Sequence, residues 1–176
     1  MSRRLTQPIP RREPAERAPV VAVIGLGANL GDRAATLSEA LRELRRLPLV
    51  DEVRASQAIE SVALTPDGPD ASAPAYLNAV ALVTTRLAPT VLLGFLQAIE
   101  SAHGRVRDVR WGDRTLDLDL IAYGDVQSDA ADLTLPHPRA AERDFVLAPW
   151  LQVDPDAVLP GRGRVDDLLA ALRGRA

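Results

Sequence analysis

Cysteine and lysine are both absent from this sequence of 176 residues. The lack of cysteine excludes disulfides, thiolate nucleophiles, iron–sulfur clusters and cysteine-ligated zinc. The lack of lysine excludes a Schiff-base or P-loop lysine, so arginines, backbone amides or a metal ion must hold any bound phosphate. Two histidines are too few for a histidine-rich metal site, and aromatic residues make up only 3% of the chain. Leucine, valine, alanine and isoleucine must therefore build the core.

The sequence also has no net positive charge and no long run of apolar residues. The formal net charge of -3 argues against a general nucleic-acid binder. No apolar run is long enough to cross a bilayer, and residues 1–19 contain no signal-peptide core. We therefore expect a cytoplasmic monomer with no nucleic-acid or membrane partner. Residues 1–19 are rich in arginine and proline and are expected to form a flexible tail, which leaves residues 20–176 as a single domain.

Apolar periodicity predicts an alternation of strands and helices along the chain. Strands are expected at residues 20–26, 50–62, 76–85 and 115–123, and helices at residues 34–47 and 89–103, with a further helix near 165–173. Residues 64–75 are rich in proline and are expected to form a loop. The order βαββαβ indicates a ferredoxin-like sandwich, an α/β (α+β) fold in which helices pack on one face of an antiparallel sheet.

Asp117 and Asp119 form the sharpest chemical pattern in the sequence, within the predicted strand TLDLDLIAY. Residues two apart in a strand project to the same face, so these carboxylates stand together and the neighbouring leucines face the helices. Two adjacent carboxylates repel each other unless a cation lies between them. Mg²⁺ prefers one or two carboxylates together with substrate phosphates. For this pattern alone, two solvated acids on an exposed sheet face remain the alternative.

The segment GRVRDVRWGDR comes directly before that strand and concentrates arginines around Trp111. Guanidinium groups match phosphate oxygens in a bidentate manner, and a tryptophan offers a stacking surface for a planar ring. The alternative is a charged, solvated loop. The arginines concerned are Arg105, Arg107, Arg110 and Arg114.

Three further polar residues stand out by their position. Glu100 lies one turn before the arginine-rich segment, where it can orient an arginine or simply be a surface glutamate. His137 lies between two prolines, close to Arg143, and is either a phosphate contact or a structural histidine. Asn78 lies on a predicted strand, where a buried amide suits the edge of a planar heterocycle. A strand-edge asparagine is the alternative for that position.

Four stretches together resemble the 6-hydroxymethyl-7,8-dihydropterin pyrophosphokinase family, from residue 20 to about residue 160. They are GLGANLGDR, YLNAV, IESAHGRVRDVRWGDRTLDLDLIAYGD and LTLPHPRAAERDFVLAPW. The resemblance implies a ferredoxin-like fold and the transfer of pyrophosphate from the co-substrate ATP to the hydroxymethyl group of 6-hydroxymethyl-7,8-dihydropterin. It also implies release of AMP, two Mg²⁺ ions and a place in tetrahydrofolate biosynthesis.

The resemblance also implies roles for individual residues. It assigns Asp117 and Asp119 as metal ligands and Arg105 and Arg114 as arginines that act on the phosphates in the transition state. It places Glu100, Arg107, Arg110, His137 and Arg143 around the nucleotide, and Ser61, Leu64, Tyr76, Asn78, Trp111 and Phe145 around the pterin. The sequence departs from the family pattern at Ser61–Thr65, where the usual proline and glycine are replaced.

Three other functions fit parts of the pattern. A regulatory module of the same fold would not need two carboxylates crowded beside an arginine-rich loop. A two-metal phosphodiesterase acting on nucleic acid is disfavoured by the negative net charge and the few aromatic residues. An RNA-binding domain of this fold is disfavoured because its central strands lack stacking aromatics.

Overall fold

A computed structural model describes residues 17–65, 68–70, 72–104 and 115–174. The strands of its main sheet are β1 (Val20–Ala28), β2 (Val50–Ala55), β3 (Ile59–Ser61), β6 (Tyr76–Thr85) and β7 (Asp117–Tyr123). The other described strands form three separate two-stranded hairpins. These are β4 (Ala63–Thr65) with β5 (Gly68–Asp70), β8 (Ser128–Ala130) with β9 (Leu133–Leu135), and β10 (Val158–Leu159) with β11 (Gly163–Arg164). The helices are α1 (Arg33–Arg46), α2 (Pro89–Ala102), α3 (Asp144–Val153) and α4 (Val165–Arg173), with a short 3₁₀ turn at Ala140–Glu142.

The sheet has the strand order β2-β6-β1-β7, and β3 pairs with the same strand, β6, as β2 does. All of these pairs are antiparallel. Because β1 lies between β6 and β7, side chains of three strands meet on each face around its backbone. This arrangement confirms the predicted ferredoxin-like βαββαβ architecture.

Helices cover both faces of the sheet, whereas the prediction placed them on one face. On one face, β1 side chains such as Ile24 and Leu26 pack with Leu44 of α1 and Leu96 of α2. On the other face, Val80 packs with residues of α3 and α4. The second layer was not predicted as a layer, because α3 was missed altogether. Pro149 lies inside α3, and an internal proline normally argues against a helix.

The boundaries of several elements follow the prediction closely. Strand β6 and helix α4 have the predicted limits. The predicted strand at 50–62 is instead two strands, β2 and β3. The prediction of a loop at 64–75 is wrong in part, because β4 pairs there with β5. Strands of three residues are too short to show a two-residue period, which explains why this hairpin was missed.

The start of α1 and the end of α2 lie next in the chain to segments of the candidate site. Asp32 caps α1 by accepting a hydrogen bond of 2.9 Å from the backbone N–H of Ala35. Helix α2 begins with Pro89 and ends at Ala102, with His103 as its C-cap, and Gly104 then has a φ of +79°. A left-handed residue of this kind commonly ends a helix, and it sends the chain into the arginine-rich segment. None of the described helices is long and apolar enough to span a membrane.

Candidate functional site

The predicted metal ligands lie on β7 as the alternation requires. Asp117 and Asp119 are half-buried, whereas Leu118 between them is buried among the residues that pack on α1 and α2. In the antiparallel pairing, Asp117 lies opposite Gly27 and Asp119 lies opposite Gly25 of β1. Cross-strand partners share a face of the sheet, so both carboxylates project from the face that α3 covers in part.

Two glycines of β1 form a bare strip beside these carboxylates. Gly27 lies opposite Asn78 on its other side, so Asn78, Gly27 and Asp117 form one row across three strands. A Cβ placed on Gly27 would come within 3.3 Å of Asn78 Oδ1 and 3.8 Å of Tyr76 Cδ1. Because Gly27 has no side chain, the backbone of β1 is uncovered between Asn78 and Asp117, and a Cβ at this position would fill part of that space. We call this uncovered backbone surface the glycine floor. The sequence signal was two glycines at i and i+2 inside an apolar strand, which often marks a close approach of a ligand or backbone.

The predicted pterin-side residues meet at the β3–β6 pair. The Nδ2 group of Asn78 donates a hydrogen bond of 2.8 Å to Ser61 Oγ, and Asn78 is only 6% exposed. Ser61 lies opposite Tyr76 in the same pair, and Tyr76 is half-buried. Because Nδ2 is used in this contact, Asn78 presents Oδ1 towards the open side of Gly27. The hydroxyl hydrogen of Ser61 stays available, since the oxygen acts as the acceptor.

Asp119 is paired with an arginine at the start of α3. The Nη1 atom of Arg143 donates a hydrogen bond of 3.0 Å to Asp119 Oδ2. The guanidinium carbon of Arg143 lies 5.7 Å from the centre of the Phe145 ring, a cation–π distance. Arg143 Nε is buried and has no hydrogen-bond partner among the described residues. Arg143 and Phe145 are thus brought together at the start of α3, a helix that the sequence pattern did not reveal.

His137 lies near the same carboxylate oxygen as Arg143. The backbone N–H of Arg139 donates a hydrogen bond of 3.2 Å to His137 Nδ1, which places the ring proton of the neutral imidazole on Nε2. Nε2 lies 3.9 Å from Asp119 Oδ2. Burial lowers the pKa of His137 below its usual value, and the charge of Asp119 opposes this shift in part. The neutral form, with Nε2–H directed at the site, is therefore favoured.

Glu100 occupies a different position from the other candidates. It is 1% exposed and its Oε1 accepts a hydrogen bond of 2.8 Å from the backbone N–H of Leu118. This contact fixes the backbone of β7 between Asp117 and Asp119 from the α2 side. Glu100 was expected to orient an arginine, to contact the nucleotide or to be a surface glutamate. Its support of β7 was missed because it depends on packing between distant elements.

The remaining candidates are described only in part. The predicted phosphate and stacking residues Arg105, Arg107, Arg110, Trp111 and Arg114 lie outside the described residues. Leu64 lies on β4, where the backbone pairs with Pro69. The structure therefore brings together Ser61, Tyr76, Asn78, Asp117, Asp119, His137, Arg143 and Phe145 on one face of the sheet.

The two carboxylates of Asp117 and Asp119 suit Mg²⁺ as part of a coordination shell. Both ligands are carboxylates, which hard divalent cations prefer, and two are enough when water and phosphate oxygens complete the coordination shell. Among the described residues no group of three or more histidine, aspartate or glutamate side chains could hold a metal ion alone. The chemistry of the site thus fits an ion that arrives with a phosphate ligand.

A cleft of about 310 Å³ adjoins His137 on the side of the β8–β9 hairpin. Its walls include Gln127, Thr134, Pro138 and Arg162. His137 belongs both to the lining of this cleft and to the surroundings of Asp119.

Comparisons with known proteins identify relatives of the chain and of its fold. The chain is 43% identical over 143 residues to a 2-amino-4-hydroxy-6-hydroxymethyldihydropteridine pyrophosphokinase of Synechocystis sp., covering 81% of this chain and 71% of that protein. It is 42% identical over 148 residues to the protein of the same name from Pseudomonas aeruginosa, covering 84% of this chain and 89% of the relative. A solved structure of wild-type Plasmodium falciparum HPPK-DHPS with pteroate matches with a TM-score of 0.67 at 14% identity, covering 93% of this chain.

This chain spans 44% of the Plasmodium falciparum chain, and at that identity the likeness supports the fold alone. The family model of 7,8-dihydro-6-hydroxymethylpterin-pyrophosphokinase matches residues 23–155, which contain most of β1, all of β7 and all the candidate site residues. This match confirms the resemblance seen in the sequence. The chain belongs to the 7,8-dihydro-6-hydroxymethylpterin-pyrophosphokinase (HPPK) family.

Proposed function

We propose that the protein transfers the β,γ-pyrophosphoryl group of ATP to the hydroxymethyl oxygen of 6-hydroxymethyl-7,8-dihydropterin in folate biosynthesis. The new bond joins that oxygen to the β phosphorus, the bond from this phosphorus to the α,β-bridging oxygen breaks, and AMP leaves. The observation that carries this proposal is the row of Asn78, Gly27 and Asp117, which puts a heterocycle-binding amide and a carboxylate pair on one open sheet face.

The amide end of the row suits an aminopyrimidinone edge. Asn78 Oδ1 accepts a hydrogen bond from a ring N–H or exocyclic amino group, and the Ser61 hydroxyl donates to a neighbouring ring acceptor. The glycine floor lets a flat ring lie beside the backbone of β1. Tyr76 borders this space. We assign Phe145, Leu64 and Trp111 to the same pocket on the strength of the family pattern.

At the carboxylate end, Asp117 and Asp119 would hold two Mg²⁺ ions together with oxygens of ATP. When bound, such ions neutralise phosphate charge and lower the pKa of a coordinated hydroxyl. Arg143, which pairs with Asp119 in this structure, would offer its guanidinium to the phosphates. Arg105 and Arg114 offset the charge that develops during transfer. No covalent intermediate on the protein is needed, because positioning and charge neutralisation dominate phosphoryl transfer.

We assign the nucleotide to the side of His137. The neutral imidazole offers Nε2–H to a phosphate oxygen, and the adjoining cleft provides room for the rest of the nucleotide. Glu100 serves this side indirectly, by holding the backbone of β7. Arg107 and Arg110 complete the nucleotide-binding set.

We further propose that residues 20–176 act as one domain behind a tail at 1–19, and that the protein works as a cytoplasmic monomer. No nucleic-acid or membrane partner is part of the proposed activity. The weakly acidic net charge of -3 supports the first of these exclusions. Size-exclusion chromatography with light scattering tests the oligomeric state.

AMP formation from ATP tests the activity directly. We expect AMP release that requires 6-hydroxymethyl-7,8-dihydropterin and Mg²⁺ and that stops on addition of EDTA. Asp125→Asn is a matched control, because Asp125 is exposed and lies away from the row. It should keep full activity, while Asp117→Asn should lose it. ATP binding without any pterin-dependent AMP would contradict the proposal and favour a regulatory module of this fold.

A further inference from the structure

Arg33, the first residue of α1, makes two long-range contacts that helix formation does not require. Its Nη1 atom donates a hydrogen bond of 2.7 Å to the backbone carbonyl of Ala75, and its Nη2 atom donates one of 2.8 Å to Glu60 Oε1. These partners are 42 and 27 residues away in sequence. One guanidinium therefore joins α1 to β3 and to the residue that precedes β6.

The two partners flank the pterin side of the proposed site. Glu60 directly precedes Ser61, and Ala75 directly precedes Tyr76. Ser61 and Tyr76 are cross-strand partners, and the chain between them leaves the sheet and returns. Arg33 thus holds both ends of this excursion at the point where β3 ends and β6 begins.

The position of Arg33 is not explained by the stability of its own helix. The first turn of α1 contains no acidic residue, and a cation at a helix N-terminus is unfavourable with respect to the helix dipole. The side chain is 31% exposed and Glu60 is 64% exposed, so the ion pair adds little to global stability. The distinctive feature of Arg33 is that its two terminal nitrogens donate to two different acceptors, a planar fork that a guanidinium provides and an ammonium does not.

Arg33 acts from behind the site and does not face the ligand. Side chains alternate along a strand, so Glu60 projects to the face opposite Ser61. The cross-strand partner of Glu60 is Leu77, which packs on the core that includes α1. The contact is therefore separated from the proposed pterin position by the backbone of the sheet.

We propose that Arg33 is a positioning residue for pterin binding. By fixing both ends of residues 61–76, it keeps Ser61 and Tyr76 beside Asn78, whose Nδ2 group reaches Ser61 Oγ at 2.8 Å. This proposal rests on the proposed pyrophosphokinase activity for its kinetic consequence. Its structural consequence, the ordering of the ends of this segment, does not depend on that activity.

Arg33→Met removes the charge and the fork while keeping an unbranched side chain. We expect the KM for the pterin to rise about threefold to tenfold, the size expected for loss of part-exposed charge-assisted contacts. The KM for ATP and the kcat at saturating pterin should stay within about twofold, because Arg33 touches neither the phosphates nor the carboxylate pair. Arg33→Lys keeps the charge but not the fork, so it should restore only part of the pterin affinity.

Arg42→Met is the matched control on the same helix. Arg42 is 57% exposed, and its ion pair is with Glu39 of the same helix at 3.9 Å. The same chemical change there should leave both KM values unaltered. Melting temperatures of all variants should agree within about 2 °C, as expected for exposed ion pairs.

Hydrogen–deuterium exchange of the ligand-free proteins gives a reading that does not depend on activity. In Arg33→Met, amides at residues 59–61 and 76–78 should exchange faster, while those of β7 should not change. Unchanged exchange at these residues, or equal weakening of pterin and ATP binding, would overturn the proposal. A wild-type protein without pterin-dependent AMP release would instead contradict the proposed function, and the exchange experiment would still decide the role of Arg33.

Discussion

The two faces of the central sheet differ in composition, although the same strands supply the side chains of both. On the face of α1 and α2, leucines and other apolar residues run the whole length of β1 and β7. On the face of α3 and α4, the apolar layer covers one end, and the other end carries two glycines, Asn78 and the carboxylate pair. Strand alternation lets one set of strands supply the apolar core on one side and the proposed binding residues on the other. Mutations on the two faces should therefore separate stability from activity.

The largest expected effect is on the site face, at Asp119. Asp119→Asn keeps the size of the side chain but removes the charge that would hold the metal ions. We expect kcat/KM to fall about a thousandfold or more, equivalent to about 4 kcal/mol of transition-state stabilisation. The free energy of unfolding, measured in urea, should change little. Near-normal turnover would show that the carboxylate pair is not the metal site.

The next effect in size is on the opposite face, at Leu96. Leu96 is fully buried in α2, so Leu96→Ala should lower the free energy of unfolding by about 2–5 kcal/mol. The folded fraction should keep its KM for both substrates. Val91→Ala on the same helix is the control, since Val91 is 48% exposed and should change stability by less than about 0.5 kcal/mol. A selective loss of substrate binding in Leu96→Ala would break the separation between the faces.

Gly27→Ala tests the floor between the two polar groups. The added Cβ would lie 3.3 Å from Asn78 Oδ1 and would occupy the space proposed for the ring. We expect the KM for the pterin to rise about tenfold, with ATP binding unchanged. Gly94→Ala in α2 is the control, because a Cβ there meets nothing within 4 Å. That change should leave the kinetics alone and stabilise the helix by about 0.5–1 kcal/mol.

The smallest expected effect is at Ser61, which supports Asn78 from the edge of the row. Ser61→Ala removes the acceptor of the Asn78 Nδ2 hydrogen bond and one proposed donor to the ring. The KM for the pterin should rise about fivefold, equivalent to about 1 kcal/mol. Ser101→Ala, at an exposed helix position, should have no kinetic effect. Equal behaviour of the two variants in pterin titrations would remove Ser61 from the site.

Local sequence patterns predicted the strands and the carboxylate pair well, but they predicted the layer of α3 and α4 only in part. The alternation in residues 115–123 was enough to place Asp117 and Asp119 together, since it depends only on the two-residue period of a strand. Helix α3 was missed, because Pro149 hides its pattern. The Arg143–Asp119 pair depends on that helix and joins residues 24 apart. Contacts of this kind arise from packing, which a local period does not report.

The row of Asn78, Gly27 and Asp117 also has a consequence for the spacing between the two proposed binding groups. These residues lie on three adjacent strands, so the distance between the backbone positions of Asn78 and Asp117 is two inter-strand spacings, about 10 Å. Hydrogen bonds of the sheet hold that spacing, and side-chain changes cannot alter it gradually. A substitution can therefore change the reach of one side chain, but the spacing between the two backbone positions stays that of the sheet.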